Sequence, residues 1–153
     1  MNPDLIAAIV AWLRANSAVV SALGENQSLP NMTKIWSDRP EGQPDLPYLV
    51  ILEPDAESRT HQSIDWSGTI FAMCRSHVRM HFATSGKTQA RSLMKLIASS
   101  LDDAPLSFSD GTLLYLRSED SYAPNYNELP PLAPNAYERV LPFLYVVERA
   151  MNS

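Results

Sequence analysis

The clearest pattern in the chain is an alternation of apolar and polar residues that leads directly into a helical repeat. Val78, Met80 and Phe82 are apolar and the residues between them are polar. This period of two predicts a strand with one dry face and one wet face. Ser85 then follows as a candidate helix cap. The apolar positions of the predicted helix are Ala90, Leu93, Met94, Ile97 and Leu101.

A second helical pattern begins at the N-terminus. Asn2-Pro3-Asp4 is typical of a helix start, because Asn caps the first turn, Pro has a helical φ and Asp complements the positive end of the helix dipole. Ser17 is the candidate cap of a short second helix, and Gly24 is its candidate C-terminal residue. The apolar positions of the first helix are Leu5, Ile6, Ile9, Trp12 and Leu13.

Three segments before residue 78 have strand character. Lys34-Ile35-Trp36 predicts a short strand, and the apolar run 48–52 predicts a central strand that is covered on both faces. The polar segment 53–68 precedes a further strand at 69–73. We therefore expect an extended loop or a hairpin arm at 53–68.

The C-terminal third predicts two strands separated by a long loop. Asp110-Gly111 indicates a turn before a strand at 113–116, and residues 137–149 predict a long final strand. Pro142 lacks the N–H that a sheet ladder needs, so this strand is expected at a sheet edge or with a bulge. The proline-rich loop 118–136 is long enough to suggest a binding role.

The element order predicts an α+β fold with a largely antiparallel, mixed sheet and two main helices packed on one face. A chain of 153 residues has the usual length of one domain, and no linker divides it. Residues 1–153 are therefore predicted to form a single domain.

Composition and charge narrow the class of protein. The chain is 45% hydrophobic with a net charge of −5, which argues against a surface that binds nucleic-acid phosphates. Asp4 lies where a signal peptide would carry positive charge, and Arg14 interrupts the first apolar stretch. These features predict a cytoplasmic protein without membrane contact. The single cysteine, Cys74, is interpreted as a core residue.

No segment of the sequence has the spacing of a known catalytic or metal site. Gly86-Lys87-Thr88 is similar to the end of a phosphate-binding loop, but His81 stands where that motif needs a glycine. His77 and His81 on one strand would be about 13 Å apart, too far to share a metal ion. We therefore expect no metal and no cofactor.

An acidic cluster in the predicted arm has two interpretations. Asp55, Glu57, His61 and Asp65 could form an acid–base group, or they could be the solvated side chains of a polar arm. The second interpretation is favoured, because no nucleophile with a partner base accompanies them. The chain is therefore not expected to be an enzyme.

The strand–helix segment from His77 to Ile97 resembles the small tail-terminator or tail-completion proteins of long-tailed bacteriophages, the family of proteins like minor tail protein U. Three more segments share the resemblance. They are the end of the first helix at Ala22-Leu23-Gly24, the strand entry Leu46-Pro47-Tyr48-Leu49-Val50 and the closing segment Tyr137-Glu138-Arg139-Val140-Leu141-Pro142-Phe143.

The resemblance implies a virion structural protein that forms a ring, usually of six subunits, on the last ring of the tail tube. Such a ring ends tail polymerisation and offers a head–tail joining surface to the head-completion or neck protein, while DNA only passes through its lumen. It would assemble in the host cytoplasm and remain in the neck region of the tail. Two alternatives stay open: a neck connector or other tail subunit, and a small ligand-binding or enzymatic domain.

A ring of identical subunits needs two different contact surfaces on each subunit. The 53–68 arm and the 118–136 loop are the predicted contact segments, and aromatic residues outside the predicted core are the first candidates within them. The candidate interface residues are Trp36, Arg59, His61, Trp66, Tyr122 and Tyr126.

Overall fold

The computed structural model describes residues 3–24, 33–40, 42, 44–109, 111–119 and 136–150. Within these ranges there are three helices and six strands. The helices are α1 (Pro3–Arg14), α2 (Ser17–Leu23) and α3 (Lys87–Leu101). The strands are β1 (Ile35–Ser37), β2 (Tyr48–Ile51), β3 (Ser58–Ile64), β4 (Ile70–Thr84), β5 (Thr112–Ser118) and β6 (Tyr137–Ala150).

The six strands form one mixed sheet. Its order is β1-β2-β4-β6-β5, and β3 pairs with the first half of β4 on the same side as β2. Only β1 and β2 run parallel among the described pairs. The predicted α+β class with a largely antiparallel, mixed sheet is confirmed.

The two strands predicted at 69–73 and 78–82 are one continuous strand, β4. The alternation does not stop at the polar residues between them, because Cys74 and Ser76 are buried on the same face as Val78. The Ser76 hydroxyl is satisfied there, since it donates a hydrogen bond to the Asp55 carbonyl at 2.7 Å. A buried serine with an internal partner therefore preserves the strand where its polarity suggested a break.

The prediction that β6 lies at a sheet edge or carries a bulge at Pro142 is wrong. β6 pairs with β4 over its whole length, and Pro142 stands opposite Arg79 without a register shift. The Arg79 carbonyl points away from β6 and accepts a hydrogen bond from Leu52 N. Arg79 and Pro142 therefore exchange no hydrogen bonds. The Pro142 carbonyl accepts from Glu119 N, just past the end of β5. The missing N–H therefore falls where the neighbouring strand ends.

Both main helices cover the same face of the sheet, as predicted. Leu5, Ile9 and Leu13 of α1 join Leu93 and Ile97 of α3 in one buried cluster. The sheet contributes the inward residues of its strands to this cluster, among them Leu49, Ile51, Val78, Met80, Phe82, Leu116, Leu141, Phe143, Tyr145 and Val147.

The helix caps differ by one residue from those predicted. Asn16, not Ser17, caps α2, because its Oδ1 accepts from the backbone N–H groups of Ala18 and Val19. Gly86, not Ser85, precedes α3, and the Gln89 side chain reaches back to accept from the N–H and the hydroxyl of Ser85. Gly24 ends α2 with a φ of 75° as expected.

The other face of the sheet is partly covered. Trp36 packs edge-on against Tyr48, with ring centroids 6.0 Å apart, in a second cluster with Val50 and Ala83. His81 lies on this face but is only 3% exposed and contacts Glu138 at 3.2 Å, so the predicted wet face is dry at this end. Burial lowers the pKa of His81, and the Glu138 carboxylate opposes that shift.

Cys74 is buried in the core as predicted, and burial raises the pKa of its thiol. Within the described residues no single helix is long and apolar enough to cross a membrane. Helices α1 and α2, which are bent by 79° at their junction, together have the length and composition of a broken membrane span.

Candidate assembly interface

The segment 53–68, predicted as an extended loop or a hairpin arm, leads into a β-hairpin over residues 58–75. From here on, residues 58–75 are called the arm. Strand β3 pairs antiparallel with β4 from Ser58 opposite Arg75 to Ile64 opposite Ile70, with a register shift between Arg59 and His61. Ser58, Arg59 and Ser63 of β3 are exposed, while β4 continues into the core sheet. The arm therefore extends the sheet along the first half of β4, past the end of β2.

The turn at the end of the arm is held by Asp65. Its Oδ1 accepts from Ser67 N at 3.0 Å, from the Ser67 hydroxyl at 2.7 Å and from Thr69 N at 2.9 Å. Gly68 closes the turn with a φ of 89°, which favours glycine. The Ser67 hydroxyl and these N–H groups lower the pKa of Asp65, so the turn keeps its negative charge.

Two bulky apolar side chains stand in solvent at this turn. Trp66 is 99% exposed and Ile64 is 70% exposed. Single exposed apolar residues are ordinary, but a neighbouring Trp and Ile on a preformed turn are typical of a contact surface. We call Ile64, Asp65 and Trp66 the arm tip.

The base of the arm is fixed by Glu57. Its carboxylate accepts from the Tyr145 hydroxyl at 2.8 Å and from Arg149 Nε and Nη2 at 2.9 and 2.8 Å. Burial would raise the pKa of Glu57, but the hydrogen bonds from Arg149 and Tyr145 outweigh it and lower that pKa. Glu57 is therefore a structural link between the arm and β6, which corrects its interpretation as a solvated arm residue.

The acidic cluster considered in the sequence, Asp55, Glu57, His61 and Asp65, does not form an acid–base group among the described atoms. Asp55 pairs with Arg79 at 2.8 Å on the surface, Glu57 binds Arg149, and Asp65 holds its own turn. His61 lies in β3 by its backbone, and its side chain lies outside the description. No group of three metal-ligating side chains occurs within the described residues.

The remaining candidate interface residues lie in different parts of the chain, and only some of them are exposed. Trp36 is 8% exposed and packs on Tyr48, so its placement outside the core pattern was wrong, and its contact with a neighbour stays a prediction. Arg59 lies on the exposed arm. Tyr122 and Tyr126 belong to the segment 120–135, outside the described residues.

A second surface, which the sequence did not indicate, lies between α1 and the edge strand β1. It is a groove of about 790 Å³. Arg14 anchors one side of it, because its Nη2 donates to the Ile35 carbonyl at 2.8 Å. The groove is lined by Ile6, Ala7, Val10, Ala11, Arg14, Trp36, Ser37, Asp38, Arg39 and Glu53. Exposed alanines give no sequence signal of their own, so this surface appears only when α1 and β1 are brought together.

The chain matches the model of a known protein family over most of its length. The model of the family "Tail completion protein gp17" matches residues 7–123, from within α1 to beyond β5. The chain belongs to this family. It is therefore a structural protein of a phage tail, and the resemblance seen in the sequence is confirmed.

A solved structure has the same fold as this tail completion protein. It is a chain from the "Virion of native gene transfer agent (GTA) particle", with 18% sequence identity and a TM-score of 0.59. The match covers 97% of this chain and 96% of that chain. No curated protein matches the sequence.

Proposed function

We propose that this tail completion protein caps the tail tube as a ring of identical subunits, six in number as the family resemblance implies. The ring ends tail polymerisation and provides the surface to which the head joins. Its partners are further copies of itself, the tail tube protein and the head-completion or neck protein. The role is structural and needs no catalysis, metal or cofactor.

The arm tip is the observation that carries the proposal. Trp66 is almost fully exposed, yet the turn that presents it is held by three hydrogen bonds that the Asp65 carboxylate accepts. Burying one Trp side chain at an interface removes roughly 150–250 Å² from water. A rigid turn with this side chain binds at little entropic cost, as a subunit joint requires.

The charge of the chain supports the same role. A net charge of −5 leaves DNA without a strongly attractive surface, so DNA passes through the lumen without being retained. The Glu57 link adds stiffness to the base of the arm, because it joins the start of β3 to the end of β6. A stiff arm transmits the position of one subunit to the next.

The test is tail length in a phage whose copy of this gene is inactivated. Electron microscopy should show overlong tails that carry no heads, and wild-type protein supplied in trans should restore both length and joining. The Trp66→Ala variant, which is expected to fold, should not restore them. Tails of normal length in the inactivated phage would refute the capping role, and tailless heads beside normal free tails would indicate a neck connector.

A further inference from the structure

We propose that the arm tip of one copy binds in the α1–β1 groove of the next copy, so that these two surfaces are the two halves of the subunit joint. The inference rests on the proposed ring and names its contact. It assigns a role to the groove, which is separate from the arm.

The arm tip cannot fill the groove of its own chain. The tip lies beyond Ile70, at the start of β4, whereas the groove borders β1, which is aligned through β2 with Met80 and Phe82. Ten residues of extended strand separate Ile70 from Met80, a distance of about 33 Å. The groove and the tip therefore meet only between two molecules.

The two surfaces fit each other in size and in apolar character. Ala7 and Ala11 leave space on the exposed side of α1, and the half-buried side chains of Ile6 and Val10 form an apolar floor. The volume of about 790 Å³ is large enough for an indole with an adjacent branched side chain. The arm tip supplies both, in Trp66 and Ile64.

The charged residues of the groove fix the orientation of the tip more than its affinity. Arg14 and Arg39 line the groove with positive charge, and Asp38 and Glu53 line it with negative charge. Asp65 keeps its negative charge between the two apolar side chains of the tip. An arrangement with Asp65 next to an arginine places it away from Asp38 and Glu53, because like charges at an interface are unfavourable.

This joint is heterologous, since the tip and the groove are different surfaces of one chain. A heterologous contact repeats from copy to copy and closes into a ring when the rotation between neighbours allows it. Each copy then gives its tip to one neighbour and receives the tip of the other.

The experiment uses one variant for each half of the joint. Trp66→Ala removes the tip, and Ala11→Glu places a charged side chain in the groove. Both positions are exposed, so both variants should keep the circular dichroism spectrum and the thermal midpoint of the wild type. Leu114→Ala on β5 and Ser21→Glu on α2 are matched controls, because each makes the same kind of change at an exposed site outside the joint.

Light scattering after size exclusion measures assembly, alone and on isolated tail tubes. Each joint variant should associate on the order of 30-fold more weakly than the wild type, whereas the controls should assemble normally. An equimolar mixture of the two variants should form dimers and stop there, because one intact tip meets one intact groove and no other pair remains.

A cysteine pair that keeps Trp66 gives a second readout. In the presence of a mild oxidant such as diamide, a mixture of Ile64→Cys and Ala11→Cys chains should form a disulfide between the two kinds of chain, and neither chain alone should do so to the same extent. Cys74 is buried and does not compete.

The outcomes separate this contact from the ring itself. A wild-type chain that stays monomeric both alone and on tail tubes overturns the ring and the contact together. A wild-type ring that survives Ala11→Glu, or a variant mixture that forms no dimer, overturns the contact and leaves the ring standing.

Discussion

Removing the carboxylate of Glu57 should loosen the base of the arm and lower the stability of the whole chain. Glu57 bonds to three donor atoms on β6, and its side chain is 16% exposed while that of its partner Arg149 is 13% exposed. Glu57→Ala leaves the Tyr145 hydroxyl and the Arg149 guanidinium without this acceptor. Because both groups are held away from water, neither recovers the full loss by hydration.

The expected loss follows from the burial of the pair. Breaking a fully buried ion pair from one side costs about 3–5 kcal/mol, and an exposed pair contributes less than about 1 kcal/mol. The Glu57 pair lies between these limits, so we expect a loss of about 2–3 kcal/mol. For a chain of this length 1 kcal/mol shifts the thermal midpoint by roughly 2–4 °C. The midpoint should therefore fall by about 5–10 °C.

Thermal and urea unfolding of the purified monomer measure this effect. Glu53→Ala is the matched control, since Glu53 is an exposed carboxylate four residues away in the same connection, and its midpoint should stay within about 1 °C of the wild type. Glu57→Gln should fall between the two, because an amide oxygen still accepts one hydrogen bond. Equal midpoints for Glu57→Ala and Glu53→Ala would refute the role of the pair.

Three further predictions concern pH and two local features. The pKa of Glu57 is lowered from its ordinary value of 4.5, so its stabilisation is complete above that value and is lost as the pH falls through the lowered pKa. The difference in unfolding free energy between wild type and Glu57→Gln should therefore stay constant from pH 7 down to about pH 4.5 and shrink as the pH falls further, and a difference that does not change in acid would contradict it. Pro142→Val should shift the urea midpoint by less than the equivalent of about 1 kcal/mol, because the residue adds an N–H where β5 ends; a loss above about 2 kcal/mol would refute this. Asn16→Ala should cost about 1–2 kcal/mol in urea unfolding, because it removes the cap of α2 and the 3.0 Å bond to Ser100 Oγ; an unchanged midpoint would contradict it.

Periodicity alone predicted most of the fold. The alternation at 78–82 and the helical spacing after Ala90 depend only on which side of an element is buried, and both elements are found where that pattern placed them. The antiparallel pairing followed from the short connections between strands.

The failures arose where a polar residue has a partner that is distant in the sequence. Glu57 was interpreted as a solvated arm residue, and Ser76 lay between the two predicted strands at 69–73 and 78–82. Ser76 bonds to the Asp55 carbonyl, and Glu57 bonds to Arg149, which is 92 residues away. Pro142 suggested an edge because its own sequence does not reveal where the neighbouring strand ends. Such contacts are set by the packed sheet and have no local signal.

The candidate site was predictable only in part. A polar segment between two strands indicated an arm, and Trp66 stood out because an aromatic residue in a polar turn has no core to join. The groove of α1 and β1 has no comparable signal, because it is defined by the empty space beside Ala7 and Ala11. One half of the proposed joint was therefore predictable from the sequence, and the other half was not.

The position of this chain in the assembled virion tests the account most directly. Cryo-electron microscopy of the head-proximal end of the tail should show the six-stranded fold repeated in one closed ring on the last ring of the tube, with each Trp66 against its neighbour. Density for the fold along the tube, inside the head or nowhere in the neck would contradict the account.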